Sequence, residues 1–263
     1  IVFGRPTSQW PLHLTSSDTD RQYTFSPSNP KSLSAHVLNF NGDSYHDLLL
    51  VRTANTSLLT EVAWLYSGEA ISNSNWAGPL LTLQNDSVKP GTSLKAVVAG
   101  RVNADNLDDI VFASSGVDAS SNAHVGRAYI LLGRPLMTPT MTPTQFSLDD
   151  NHVHLPVQDV DVRFNDNRLR GTVFPLGDLN SDGYDDFGLG LEGTAPNEPA
   201  AVVIYGRSAV SDLTALASET PLLGDFLVLR GGAASPAPAL TAGDFDGDGR
   251  LELAASELGG KAY

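Results

Sequence analysis

The sequence predicts an all-β fold assembled from four copies of one unit. Three observations carry that expectation. The apolar stretches are short, rich in β-branched residues and bounded by Gly, Asn, Asp or Pro, as at 96–99, 109–113, 128–132, 201–205 and 226–229, which is the pattern of strands. Of the 30 acidic residues, 23 are Asp and 7 are Glu; Glu suits helix surfaces, whereas Asp favours turns, caps and ion-binding loops. Finally, one nine-residue acidic segment occurs four times in register, beginning at Asn39, Arg101, Asp178 and Asp244, and such self-similarity outranks other signals of architecture.

The four starts are separated by 62, 77 and 66 residues. Each acidic segment lies between two small apolar runs, and a third run ending in glycine follows at 62–68, 128–133 and 202–206. The unit is therefore strand, acidic loop, strand, loop, strand, then a variable stretch with room for a fourth strand. The best helix candidate, 209–218, is short and weakly patterned. Units of this size with three or four strands predict the four-stranded blades of a β-propeller; a solenoid competes, but its coils are usually shorter. The expected boundaries are 32–90, 91–160 and 161–237 for three blades. The fourth is expected to combine 238–263 with outer strands from 1–31, because Gly260-Lys261-Ala262-Tyr263 read on into Ile1-Val2-Phe3-Gly4-Arg5-Pro6 nearly duplicates Gly126 to Pro135. That cut inside a strand favours part of a longer array over a closed four-blade ring, since boundaries usually fall in exposed linkers. The Pro/Thr run 138–144 accounts for the long second spacing and is expected to form an exposed loop between blades.

Composition narrows the function. A formal charge of -14 argues against a nucleic-acid partner, whose binding rests on cationic neutralisation of phosphates, and against anionic membranes. No apolar run approaches the roughly 20 residues of a bilayer span, so no membrane insertion is expected. There is no cysteine, which removes disulfides and thiolate zinc sites. No GxSxG, HExxH or P-loop is present, and the chain is expected not to be an enzyme. Gly188 to Gly193 matches GxGxxG, but Pro196 and Pro199 follow where a phosphate-binding helix must begin, so these glycines are read as strand and turn spacing. The six histidines are scattered; His152 and His154 alternate on one expected strand and are read as surface residues. Trp64 is expected in the core, and Trp76, in a loop, is the better candidate for stacking on a sugar. Sequons occur at Asn55 and Asn85.

The acidic loops carry the functional signal. In the third and fourth, oxygen-bearing side chains stand at positions one, three, five and nine: Asp178, Asn180, Asp182 and Asp186, then Asp244, Asp246, Asp248 and Glu252. Alternate residues of a tight turn converge on one point, and Gly183 or Gly249 at position six lets the backbone reverse. Calcium takes six to eight hard oxygens, with the carbonyl of position seven, Tyr184 or Arg250, as a natural addition; magnesium demands stricter geometry. The alternative is a polar turn that hydrogen-bonds its own backbone. An EF-hand is excluded, because position twelve holds Leu189 or Ala255 where a Glu is required. The first loop, with Asn39, Asn41, Asp43, Tyr45 and Asp47 and with Ser44 at position six, suits a weaker calcium site. In the second, Arg101 stands at the first ligand position beside Asn103, Asp105 and Asp109, and its guanidinium substitutes for an ion.

These features resemble the FG-GAP repeats of the integrin α-subunit N-terminal β-propeller and of bacterial secreted proteins that share them. The resemblance spans essentially all 263 residues; its most specific element is the acidic loop between two strands followed by an aromatic-apolar strand ending in Gly. Leu189-Gly190-Leu191 and Phe112-Ala113-Ser114 stand where the family has Gly-Ala-Pro. The resemblance implies calcium in the loops between the first two strands of each blade and use outside the cell or at its surface. It implies a non-catalytic adhesion or interaction scaffold for a protein or glycan ligand. A lectin-like propeller and an accessory domain of a secreted hydrolase or lyase are the alternatives.

Overall fold

The computed structural model describes residues 32–53, 61–72, 78–84, 93–117, 124–135, 144–147, 164–166, 169–191, 199–208, 226–230, 239–257 and 261–262, all within the compact unit Lys31–Tyr263. The expectations placed on 1–31, Trp76, the two sequons, His152 and His154, residues 138–143 and the helix at 209–218 lie outside these residues.

The described chain is almost entirely strand. β1 (Ser32–Leu38), β2 (Asp47–Thr53) and β3 (Glu61–Tyr66) form an antiparallel meander, followed by a five-residue helix, α1 (Gly68–Ser72), and by β4 (Leu81–Gln84), which pairs with β3. β5 (Ser93–Gly100), β6 (Asp109–Val117) and β7 (His124–Leu131) repeat the meander. β8 (Thr144–Ser147) then returns to the first sheet, parallel to β4, while β9 (Phe164–Asp166) pairs with β7 and completes the second sheet. The segment after β7 is thus not wholly a connecting loop: four of its residues extend the previous sheet. β9 also lies past residue 160, where the repeat spacing placed the end of this unit. The third sheet is β10 (Leu169–Gly177), β11 (Asp186–Leu191), β12 (Pro199–Ile204) and β13 (Phe226–Arg230). The fourth is β14 (Ala239–Gly243), β15 (Glu252–Glu257) and β16 (Lys261–Ala262).

Register repeats with the sequence. The residue before each acidic loop pairs with its ninth residue: Leu38 with Asp47, Gly100 with Asp109, Gly177 with Asp186 and Gly243 with Glu252. Bulges precede the second and third loops, ending at Gly100 and Gly177, whose φ values of 84° and 67° suit glycine.

Three apolar layers separate the four sheets. Phe40, Leu49, Val51 and Leu65 of the first sheet meet Ile110, Phe112 and Leu131 of the second. Val111, Ala113 and Ile130 meet Val173, Phe187 and Leu189 of the third. Ala201, Val203 and Leu176 meet Leu240, with Leu253 and Ala255 packed alongside. Successive residues of β6 therefore face opposite layers, which is why its sequence is a continuous apolar run: both faces are covered. Trp64 is buried, as expected. Gly188 and Gly190 lie in the buried strand β11, and a Cβ on Gly188 would come 2.8 Å from Leu240 Cδ1. That glycine makes room for a leucine of the next sheet.

Candidate metal centres in the acidic loops

Each loop is first a set of local hydrogen bonds. The side chain at position three accepts the N–H of position five, and position five accepts that of position seven. Asn41 with Asp43 and Tyr45, Asn103 with Asp105 and Leu107, Asn180 with Asp182 and Tyr184, and Asp246 with Asp248 and Arg250 all follow this rule at 2.6–3.1 Å. These are the self-bonded turns that Asp and Asn favour. Position one differs between loops. Asp178 accepts Asp182 N–H and Gly183 N–H, at 3.0 and 2.9 Å, and Asp244 accepts Gly247 N–H and Gly249 N–H, at 2.6 and 3.0 Å. Asn39 accepts only Gly42 N–H, at 3.1 Å.

Backbone conformation separates the loops in the same way. The third has positive φ at Ser181 and Gly183, and the fourth at Gly247 and Gly249, positions four and six in each case. The first has it only at Gly42 and the second only at Asn106. Sequence reading noticed position six; position four reverses as well.

The carboxylates converge in one place among the described residues. Asp244, Asp246 and Glu252 offer oxygens within 4.8 Å of one another, with the two aspartates exposed and Glu252 half-buried. The chemical reason lies at position three. In the first three loops it is Asn, whose amide donates to the position-five carboxylate: Asn41 to Asp43 at 2.8 Å, Asn103 to Asp105 at 3.0 Å and Asn180 to Asp182 at 2.9 Å. In the fourth, Asp246 has no such donor and adds a negative charge. A set of hard oxygens with several like charges suits calcium, which relieves their repulsion. Asp178, Asp182 and Asp186 do not gather in this way, because the oxygens of each are turned to N–H donors.

Position nine has a second role that sequence reading did not supply. Asp47, Asp109 and Asp186 are buried, and each carboxylate bridges two backbone donors. One is the N–H of position two: Phe40 to Asp47 at 3.2 Å, Val102 to Asp109 at 2.8 Å and Leu179 to Asp186 at 2.8 Å. The other is the glycine just past the third strand: Gly68 to Asp47 at 3.1 Å, Gly133 to Asp109 at 2.8 Å and Gly206 to Asp186 at 2.8 Å. The carboxylate clips the loop to the strand end. Burial raises the pKa of Asp47 and Asp186 to about 6 and of Asp109 to about 7, and the backbone donors only partly offset it. The glycine is required because loop backbone presses on it: a Cβ on Gly206 would stand 2.6 Å from Asp185 O. The recurring terminal glycine was the legible signal of this clip.

Position eight joins neighbouring units. Asp108 accepts Asn39 N–H at 2.6 Å and donates its own N–H to Asn39 O at 2.9 Å; Asp185 does the same with Arg101, at 2.7 and 2.9 Å. The residue after the glycine adds a bond to position two of the preceding loop, Arg134 N–H to Phe40 O and Arg207 N–H to Val102 O, both at 2.8 Å. At the third junction position eight is Leu251, and a Cβ on Gly177 would lie 3.0 Å from its Cδ1. No family model, characterised protein or solved structure matches the chain.

Proposed function

We propose that the chain is a calcium-stabilised segment of an FG-GAP-type β-propeller, non-catalytic, serving as a scaffold for adhesion or protein interaction outside the cell or at its surface. The observation that carries the calcium reading is the approach of Asp244, Asp246 and Glu252 to within 4.8 Å. The propeller reading draws on four consecutive antiparallel sheets with apolar layers between them, each built by one sequence repeat. Calcium acts structurally: bound by three carboxylates and a backbone carbonyl of the fourth loop, it holds the turn between β14 and β15, and by binding only the folded state it raises stability. The third loop takes a second ion by turning Asp178, Asp182 and Asp186 inward, and the first a weaker one through Asn39, Asn41, Asp43, Tyr45 and Asp47.

Equilibrium dialysis against calcium, with thermal melts in calcium and in chelator, tests this. Asp246→Ala and Asp182→Ala each lose about one ion per chain, and Asp105→Ala loses none. Equal stoichiometry for all three variants, or a melt that chelator leaves unchanged, defeats the metal assignment. The ligand surface is tested by screening glycans and extracellular proteins for binding that requires calcium.

A further inference from the structure

The three internal junctions give the terms for reading the two outer faces. Within the row, the residue at position two of each loop is covered by the following sheet: Phe40 and Val102 are 0% exposed and belong to the layers facing the second and third sheets. Their counterpart in the fourth loop, Phe245, is 65% exposed. The residue after position nine faces the preceding sheet, and Ile110 and Phe187 are fully buried there. Their counterpart in the first unit, Leu48, is only half-buried, and its cross-strand partner Val37 is 67% exposed, with Leu33 on the same face of β1 48% exposed. An apolar leading face and an apolar trailing face thus lie bare at opposite ends.

We propose that these two faces are complementary and that a second copy of this chain docks head to tail, the first sheet of one copy on the fourth sheet of the next. Four points of the internal junctions have matching halves at the two ends. Leu107, at position seven, packs over Gly42, at position four of the preceding loop; Tyr45 is exposed at position seven of the first loop, and Gly247, at position four of the fourth, has nothing within 4 Å of where a Cβ would stand. Position eight meets the backbone of position one, and His46 is exposed to meet Asp244. The N–H after the terminal glycine meets the carbonyl of position two, so Glu69 N–H finds Phe245 O. Finally, Gly188 receives Leu240 at the third junction, and the small residues Thr241 and Ala254 of the fourth sheet are placed to receive the bulkier Val37. Contacts of this heterologous kind build open rows or closed rings. The inference rests on junction geometry and is independent of calcium binding.

Sedimentation analysis of the 263-residue chain over a range of concentrations, in calcium and in chelator, tests it. The wild type is expected to grow in mass beyond 27.8 kDa as concentration rises. Val37→Glu spoils the leading face and Phe245→Asp the trailing face, so each variant alone stays monomeric, with self-association weakened at least tenfold. Mixed, the Phe245→Asp copy still offers its first sheet and the Val37→Glu copy its fourth, so a species of twice the monomer mass forms and grows no further. Circular dichroism confirms that both variants stay folded. Wild type remaining at 27.8 kDa throughout, as closure of one chain on itself would give, overturns the proposal, as does undiminished association of either variant.

Discussion

Asp109→Asn isolates the cost of burying a charge in a loop clip. Asp109 lies in the second loop, where Arg101 stands at the first ligand position, so in chelator its titration is separate from any ion. Its pKa is raised from 3.8 to about 7, desolvation being the largest cause. Between those values the folded protein keeps a proton that the unfolded chain has released. Stability from this group is therefore present at low pH and lost as pH rises through about 7. A shift of about 3 units at about 1.4 kcal/mol per unit sets the loss on the order of 4 kcal/mol. Asp47 and Asp186 add falls of the same sign, complete by about pH 6. The amide cannot ionise, but it offers one acceptor where Val102 N–H and Gly133 N–H need two, at a cost of about 1–3 kcal/mol independent of pH. Urea unfolding from pH 4.5 to 8.5 should show the wild type losing stability steeply, and the variant losing less by an amount on the order of 4 kcal/mol. Parallel pH profiles for the two proteins would refute the buried-charge reasoning.

Other outcomes follow from the same geometry. Gly206→Ala forces a Cβ to within 2.6 Å of Asp185 O and should cost about 1–3 kcal/mol or more in chemical denaturation, whereas Gly183→Ala meets no atom within 4 Å and is penalised only for its φ of 94°. Asp185→Ala removes the acceptor for Arg101 N–H at the junction of the second and third sheets and should lower stability by about 1–2 kcal/mol. Hydrogen exchange should then show faster exchange at Arg101, with β1 to β3 unchanged.

The strands were legible because their sequence is local and doubly apolar. Residues 109–113 and 201–204 read as strands since both faces of β6 and β12 lie against neighbouring sheets. The acidic loops were legible because turn chemistry is set by residues two to five apart. Less visible was the division of labour within a loop. Position nine looks like a ligand in sequence, yet Asp47, Asp109 and Asp186 spend both oxygens on backbone donors, one of them 20 or more residues away. Position eight looks like solvent-facing charge, and Asp108 reaches 69 residues back to Asn39.

By itself, the sequence determined the unit: four acidic loops, the strands that flank them, the glycine that ends each third strand, and an all-β class with little helix. These depend on short-range preferences of Asp, Asn, Gly and β-branched residues, which act within a turn or along a strand. Only the tertiary structure decided which carboxylates converge, which are buried as clips, that β8 returns to the earlier sheet, and which faces of the row lie bare. Those outcomes depend on which backbone N–H groups and apolar surfaces the fold brings together across 20 to 80 residues of chain, and identical nine-residue loops do not encode their neighbours.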